Sequence, residues 1–390
     1  MTSDVRPKSL SLLAKSDIGI SFIIAFTWQA IITVIGTLLT PDSPSVLSHM
    51  TRWDGGWYLT IINDQYKTVP ASPAFYPLFP FLVSLLSAIT FDIVAYPVIA
   101  LVLNTFCLGM GLAALLSISR HFIPSGSRLV ILFFFLAAPS AFFMHLFYGE
   151  ALFVAIGFWA YAAALRQRWL LMGALLGLLT AARLPSLLFI GLCGLEYMRA
   201  NQWDIKQIIS PRLAYFLLAP VGFICYGIYL LYVRSNFLAM FSAYEETSDW
   251  VYQSFNPDII STIGRGFYQT SRAILGKREF DHDIIVNHAI PLLCITLLFA
   301  SSIYLLVRVR GKGIPLGIFG LVSIVFFTIN NNLVSVHRYT LPCLTIYITL
   351  MILFVQNRKK RLVAIVISLV MLAAQVLLIL MYFITRDFVG

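Results

Sequence analysis

A small set of ionisable residues, embedded among long apolar runs, carries whatever chemistry this chain performs. The densest stretch is Arg52-Trp53-Asp54-Gly55-Gly56-Trp57-Tyr58-Leu59, which brings a carboxylate, a guanidinium and three amphipathic rings together just after the first apolar run. Tyr148-Gly149-Glu150, Arg183 inside a later apolar run, and His337-Arg338-Tyr339 at the mouth of another complete the set. Ionisable groups at membrane depth are expensive to hold, so each raises a functional hypothesis.

Asp54 reads in two ways. It can cap the following helix by accepting a backbone N–H, with Trp57 and Tyr58 as an interfacial aromatic belt. It can also be a general base, because partial desolvation beside aromatic rings makes a carboxylate more basic and able to take a proton from an attacking sugar hydroxyl. Arg183 and Arg338 suit a phosphate, whose oxygens a planar guanidinium grips bidentately. Such a charge would steady a phosphate leaving group as a glycosidic bond breaks; snorkelling to the interface is the plainer alternative. His337 is placed to donate a hydrogen bond or proton to that phosphate. Glu150, at a hairpin apex, would orient an acceptor or an arginine.

Other polar clusters promise less. Asp281-His282-Asp283 has ligand-type residues but lies in a charged loop with no second ligand group at fixed spacing, so no metal site is expected. Glu245, Glu246 and Asp249 read as a solvated face, and His145 as a packed side chain. Cys107, Cys193, Cys225, Cys294 and Cys343 stand singly in apolar runs, where cysteine behaves as a small hydrophobe. No cofactor is expected beyond a lipid-phosphate sugar acting as co-substrate.

The elements that must position these groups follow from composition. Of 390 residues, 59% are hydrophobic and 11% charged, whereas a soluble domain carries about 25% charged residues. Apolar runs of membrane length recur throughout. The net charge of +10 invites a nucleic-acid reading, but its distribution opposes one. Arg6, Lys8 and Lys15, then Arg120 and Arg128, Arg166 and Arg168, Arg199, Lys206 and Arg212, Arg308, Arg310 and Lys312, and the run 358–361 all fall between apolar runs, as cytoplasmic loops do under the positive-inside rule. The partner this implies is a lipid bilayer.

The expected spans are 18–39, 94–118, 129–147, 151–165, 213–233, 289–307, 314–330, 340–355 and 362–384, with two more inside 169–198. That last run would be about 45 Å as one helix. Arg183 and Pro185 interrupt it, and basic loops on both sides require an even number of crossings. The segment 75–89, short and carrying two prolines, is expected to be interfacial or re-entrant. The total is about eleven transmembrane helices in a single all-α domain, amino terminus inside, with external loops at about 40–92 and 234–287.

Several of these stretches are familiar. Arg52-Trp53-Asp54 with Trp57-Tyr58-Leu59, then Phe75-Tyr76-Pro77-Leu78-Phe79-Pro80, resemble the first-loop signature of the GPI mannosyltransferase 2 (PIG-V-like) family. Pro139-Ser140-Ala141-Phe142-Phe143 with Tyr148-Gly149-Glu150, Arg168-Trp169 through Ala181-Ala182-Arg183, and His337-Arg338-Tyr339 with Pro342 are similar in order and spacing. The resemblance implies a GT-C glycosyltransferase fold with its active site on the extracytoplasmic or lumenal face. It also implies a polyprenyl- or dolichyl-phosphate mannose donor, inversion at the sugar, a glycan or glycolipid acceptor, and Asp54 as base. Arg52, Trp53, Trp57, Tyr58, Tyr148, Arg183, His337, Arg338 and Tyr339 would line the substrate site, with Asp54 and Glu150 as the catalytic acids. Gly149 stands where the family has serine, and the chain is compact, so an acceptor other than a GPI precursor fits equally. The membrane would be the plasma membrane of a prokaryote or the endoplasmic reticulum of a eukaryote. Two other function classes stay open: a flippase for lipid-linked sugars, which would need polar mid-span residues and internal repeats, and a non-catalytic subunit of a glycosylation complex.

Overall fold

In a medium without water, a run of Leu, Ala, Phe and Ile satisfies its own N–H and C=O groups only by coiling. Every regular element described in the computed structural model is accordingly helical. The structure describes residues 8–41, 45–123, 129–243, 256–329 and 332–385. Arg6, Arg128, Glu245, Glu246 and Asp249 lie outside the described residues.

The chain opens with α1 (Lys8–Leu39), followed by two short helices, α2 (Val46–Met50) and α3 (Asp54–Asp64). A 3-10 turn at Ser72–Ala74 leads into α4 (Leu78–Ile89), then α5 (Tyr96–Phe122) and α6 (Val130–Leu136). Another 3-10 turn, Ala141–Met144, precedes α7 (Glu150–Leu165), α8 (Trp169–Thr180), α9 (Ser186–Ala200) and α10 (Ile205–Ile208). Pro211–Leu218 continues into α11 (Val221–Arg234), with α12 (Ala239–Ser242), α13 (Ile259–Ile274) and α14 (His282–Ile284) after it. The last third holds α15 (Ile290–Tyr304), α16 (Ile314–Thr328), α17 (Val336–Tyr339), α18 (Leu344–Val355) and α19 (Arg358–Leu380), ending in a π-helical turn at Met381–Thr385.

Among the described residues, five helical segments are long and apolar enough to cross a membrane: Asp17–Leu39, Tyr96–Phe122, Pro211–Arg234, His282–Thr328 and Arg358–Thr385. The fourth bends at Arg310–Gly313, and its arms α15 and α16 pack on each other. Four further apolar helices are shorter: α4, α7, α8 and α18. The break expected near Arg183 is present, since α8 stops at Thr180 and α9 starts at Ser186, after Pro185. The segment 75–89 forms α4, about 18 Å long, packed on α3 and α5.

The expected span over 129–147 is corrected. α6 ends at Leu136, and the chain then runs through turns and a 3-10 helix to Glu150, buried throughout. Irregular backbone inside a bundle must find other partners for its carbonyls, and amide side chains from three helices supply them. Gln29 of α1 donates to Met144 O at 3.0 Å. Asn104 of α5 donates to Leu146 O at 2.7 Å and Tyr148 O at 3.3 Å. Gln375 of α19 donates to Ala138 O at 2.6 Å and Leu136 O at 3.1 Å.

These three amides also give the loop its depth. Asp17 and Arg120 form an ion pair that ties α1 to α5, and the π-helical turn after α19 packs on α1 with Phe383 against Gly36. Counting along each helix from Asp17, Arg120 and Arg358, the amides lie about 18, 24 and 26 Å from the basic end. One level of the bundle therefore carries the loop 137–149 and the residues that follow it.

Candidate functional site

The first-loop island begins with an unusual backbone. Trp53 has φ 57° and ψ −119°, a conformation that costs a non-glycine residue on the order of 1–3 kcal/mol. The turn it makes starts α3 at Asp54, so Asp54 is the first helical residue and not the expected N-cap. Its side chain makes no capping bond because it is held elsewhere. Gly55 follows at a close approach: a Cβ there would stand 3.0 Å from Met50 O and 3.4 Å from Phe147. Phe147 N also donates to Met50 O at 3.0 Å, which seats the start of α3 against the buried loop.

Asp54 Oδ2 meets Arg338 Nη2 at 2.7 Å. The same Nη2 lies 2.7 Å from Glu150 Oε1, and Arg338 Nε donates to that oxygen at 3.1 Å. Arg183 Nη1 donates to Glu150 Oε1 at 2.5 Å. The acids and arginines singled out in the sequence thus form one ionic quartet at the ends of α3, α7, α8 and α17. Glu150 does orient arginines, and it orients both.

Arg338 is 4% exposed, its guanidinium stacked 4.8 Å from the Phe143 ring and 4.9 Å from the Tyr148 ring. Burial pulls against its charge, but Asp54 and Glu150 outweigh that and raise its affinity for the proton well above the ordinary arginine range. It is a fixed cation. Arg183 differs: Nη1 is engaged, whereas its other guanidinium nitrogens make no hydrogen bond among the described residues. Its guanidinium lies 5.7 Å from the Tyr339 ring, which itself stacks on Phe327.

A small recess, with a volume of about 10 Å³, opens beside the quartet. Glu150, Arg183, Arg338 and Tyr339 form its polar wall, and Phe153, Pro185 and Pro342 are among its apolar lining. Glu150 Oε2 is buried with no hydrogen-bond partner among the described residues. An acceptor atom left that way costs about 1–3 kcal/mol unless a donor reaches it. Asp54 pairs with the Arg338 that lines this recess, with Oδ1 taking no hydrogen bond among the described residues and the side chain partly exposed.

The remaining expected site residues divide. Tyr148 belongs to the site through its ring, while its hydroxyl donates to Arg52 O at 3.1 Å. Tyr58 is core and not an interfacial belt residue, set edge-on against Phe75 and Phe79. Burial raises the proton affinity of both hydroxyls well above the ordinary tyrosine range, so both stay protonated. Trp57 stacks on Phe75 at 5.6 Å, and Trp53 is exposed.

Two expected site residues make contacts outside the quartet. Arg52 Nη1 donates to Tyr382 O at 3.2 Å. His337 is fully enclosed and lines a different recess with Ser140, Cys294 and Met371. Neighbours on a helical turn point about 100° apart, and His337 and Arg338 accordingly line different recesses.

No protein-family model matches the chain, and no curated protein matches it.

Elsewhere, Asp281 caps α14 by accepting from Ile284 N at 3.0 Å, and Asp283 pairs with Arg278 at 2.8 Å. His145 is buried with Nδ1 2.6 Å from Gln29 Oε1. Sequence reasoning missed Gln29, Asn104, Gln375 and Tyr382. A lone amide inside an apolar run was the available signal for the first three.

Proposed function

We propose that the chain is a polytopic membrane glycosyltransferase that moves a mannosyl or related hexosyl group from a polyprenyl- or dolichyl-phosphate sugar to a hydroxyl of a glycan or glycolipid. The observation that carries this reading is the pairing of Asp54 with a fixed buried cation, beside a recess into which a second arginine faces with donors to spare. The motif stretches shared with the PIG-V-like family support it, as does the abundance of membrane-length helices.

In this reading the donor phosphate sits on the unengaged nitrogens of Arg183, and its prenyl chain follows the apolar wall of the recess. Arg338 is too fully engaged to be a primary phosphate ligand; it holds Asp54 and Glu150 in place and supplies positive field. Asp54 takes the proton of the acceptor hydroxyl through Oδ1 as that oxygen bonds to the anomeric carbon. The bond from that carbon to the phosphate oxygen breaks, and lipid phosphate leaves with its electron pair. Displacement from the opposite face inverts the anomeric centre. Glu150 Oε2 offers an acceptor for a sugar hydroxyl. The GT-C fold, about eleven crossings and an extracytoplasmic site belong to the same proposal.

The test is transfer of labelled mannose from polyprenyl-phosphate mannose by the purified chain in proteoliposomes, with lipid translocation measured in parallel. Asp54→Asn should lose about 10²- to 10⁴-fold in transfer rate while still folding, with a melting temperature lowered far less than in a variant lacking Arg338, because Glu150 still pairs with that arginine. Full activity in that variant would remove Asp54 from the mechanism, and translocation without transfer would replace the whole reading with a flippase.

A further inference from the structure

Helix α13 is built with three distinct faces, and its fully buried positions lie on one of them. Successive residues turn by about 100°, so Thr262, Gly266 and Ala273 share one narrow sector, and these are its buried positions. They are small: a Cβ on Gly266 would stand 2.7 Å from Leu333 and 3.4 Å from Leu292. The helix therefore lies tight against the bundle through residues that contribute little apolar area.

Its large apolar side chains point elsewhere. Ile260, Ile263, Phe267 and Ile274 share a second sector, about 110° round from the packed one, with Ile263 at its inner edge partly buried against the core. Ile260 is 82%, Phe267 55% and Ile274 72% exposed. Arg265 and Arg272 share a third sector, about 160° from the apolar stripe. A soluble packing helix would turn its apolar stripe to the core. This one turns it sideways, at right angles to the protein contact and opposite its charges.

That arrangement fits a helix lying in the plane of a membrane surface, with one flank on protein, one in acyl chains and one in water. Continuity supports lipid as the occupant. α13 packs at the ends of α15 and α16, and Asn256 N, just before it, donates to Ile329 O at 2.6 Å. One turn back from Ile329, α16 exposes Val325, and before that Val322, which are lipid-facing positions of a membrane-length segment. α13 packs at the end of the bundle that carries Arg338, since Gly266 lies beside Leu333. We infer that α13 is an in-plane interfacial helix whose Ile260–Phe267–Ile274 stripe inserts among the acyl chains of the leaflet beside the quartet. Because Arg265 and Arg272 face away from the stripe, insertion rests on apolar burial and needs no anionic headgroup.

The test uses the full chain in phosphatidylcholine vesicles, with the exposed Cys225 replaced by serine and single cysteines introduced by Phe267→Cys, Ile274→Cys and Arg265→Cys. Each is labelled with a small fluorophore. Labels at 267 and 274 should be quenched several-fold more by doxyl-labelled lipid than the label at 265, which aqueous iodide should quench instead. Iodide quenching at 267 and 274 equal to that at 265 would place the stripe in water and overturn the inference. Protection from both quenchers would overturn it as well, by showing that protein, such as a second copy of the chain, covers the stripe.

Discussion

Arg338 and Asp54, 284 positions apart in the chain, meet at 2.7 Å with the arginine almost wholly buried. The same guanidinium nitrogen reaches Glu150 at 2.7 Å, so one cation ties the first loop, the start of α7 and the late turn at α17 into a single unit. The expected behaviour of the protein follows from that junction and from its supports.

Removing the cation should unfold before it merely inactivates. Arg338→Met leaves Glu150 and Asp54 without their shared partner, and breaking a buried ion pair from one side costs about 3–5 kcal/mol. Thermal unfolding in detergent should show a large drop in melting temperature. The double variant Arg338→Met with Glu150→Gln should recover part of it, because the buried negative charge is gone.

Arg183 should behave differently, since only one of its nitrogens is engaged by protein. Arg183→Lys keeps a charge for Glu150 but loses the planar fork. The expected result is a small change in melting temperature and a KM for the lipid-phosphate sugar raised roughly tenfold to a hundredfold, the worth of a charged hydrogen bond. An unchanged KM in steady-state transfer assays would take the phosphate off this residue.

The amide clamps should matter far from any ligand. Asn104→Leu removes the donor to Leu146 O and Tyr148 O inside the bundle; Leu146 O keeps Tyr148 N at 2.8 Å, and a carbonyl such as Tyr148 O left without its donor costs about 1–3 kcal/mol. Hydrogen–deuterium exchange should rise in the peptide covering 144–150, where Phe147 N is bonded to Met50 O, while peptides from α16 stay unchanged.

Gly55 should tolerate no side chain. Gly55→Ala places a methyl 3.0 Å from the Met50 carbonyl, a backbone atom that cannot rotate aside, and overpacking of this kind costs about 1–3 kcal/mol. Gly56→Ala, with its nearest atom at 3.5 Å, is the control and should melt close to the parent protein.

The sequence exposed the expensive charges and the helix break because both violate the apolar background: Asp54, Glu150, Arg183 and Arg338 stand out, and Pro185 marks where α8 must stop. It did not expose how they pair. Glu150 reaches Arg183 over 33 positions and Arg338 over 188, distances that tertiary packing alone sets. The buried loop 137–149 reads as a span because apolar composition is the same for a helix and for a loop enclosed by protein. The groups that permit it, Gln29, Asn104 and Gln375, sit in other helices. Facing was equally hidden in His337-Arg338, where two adjacent basic residues serve different surroundings.

The π-helical turn at Met381–Thr385 closes onto the opposite end of the polypeptide. Tyr382 donates to His49 O at 2.6 Å and accepts Arg52 through its carbonyl. A chain inserted from its amino terminus therefore cannot settle its first loop until the turn that follows α19 has been made and has docked. During biosynthesis the quartet is completed late, and a nascent chain stalled before α19 would carry its costly charges in an unfinished pocket, exposed to quality control.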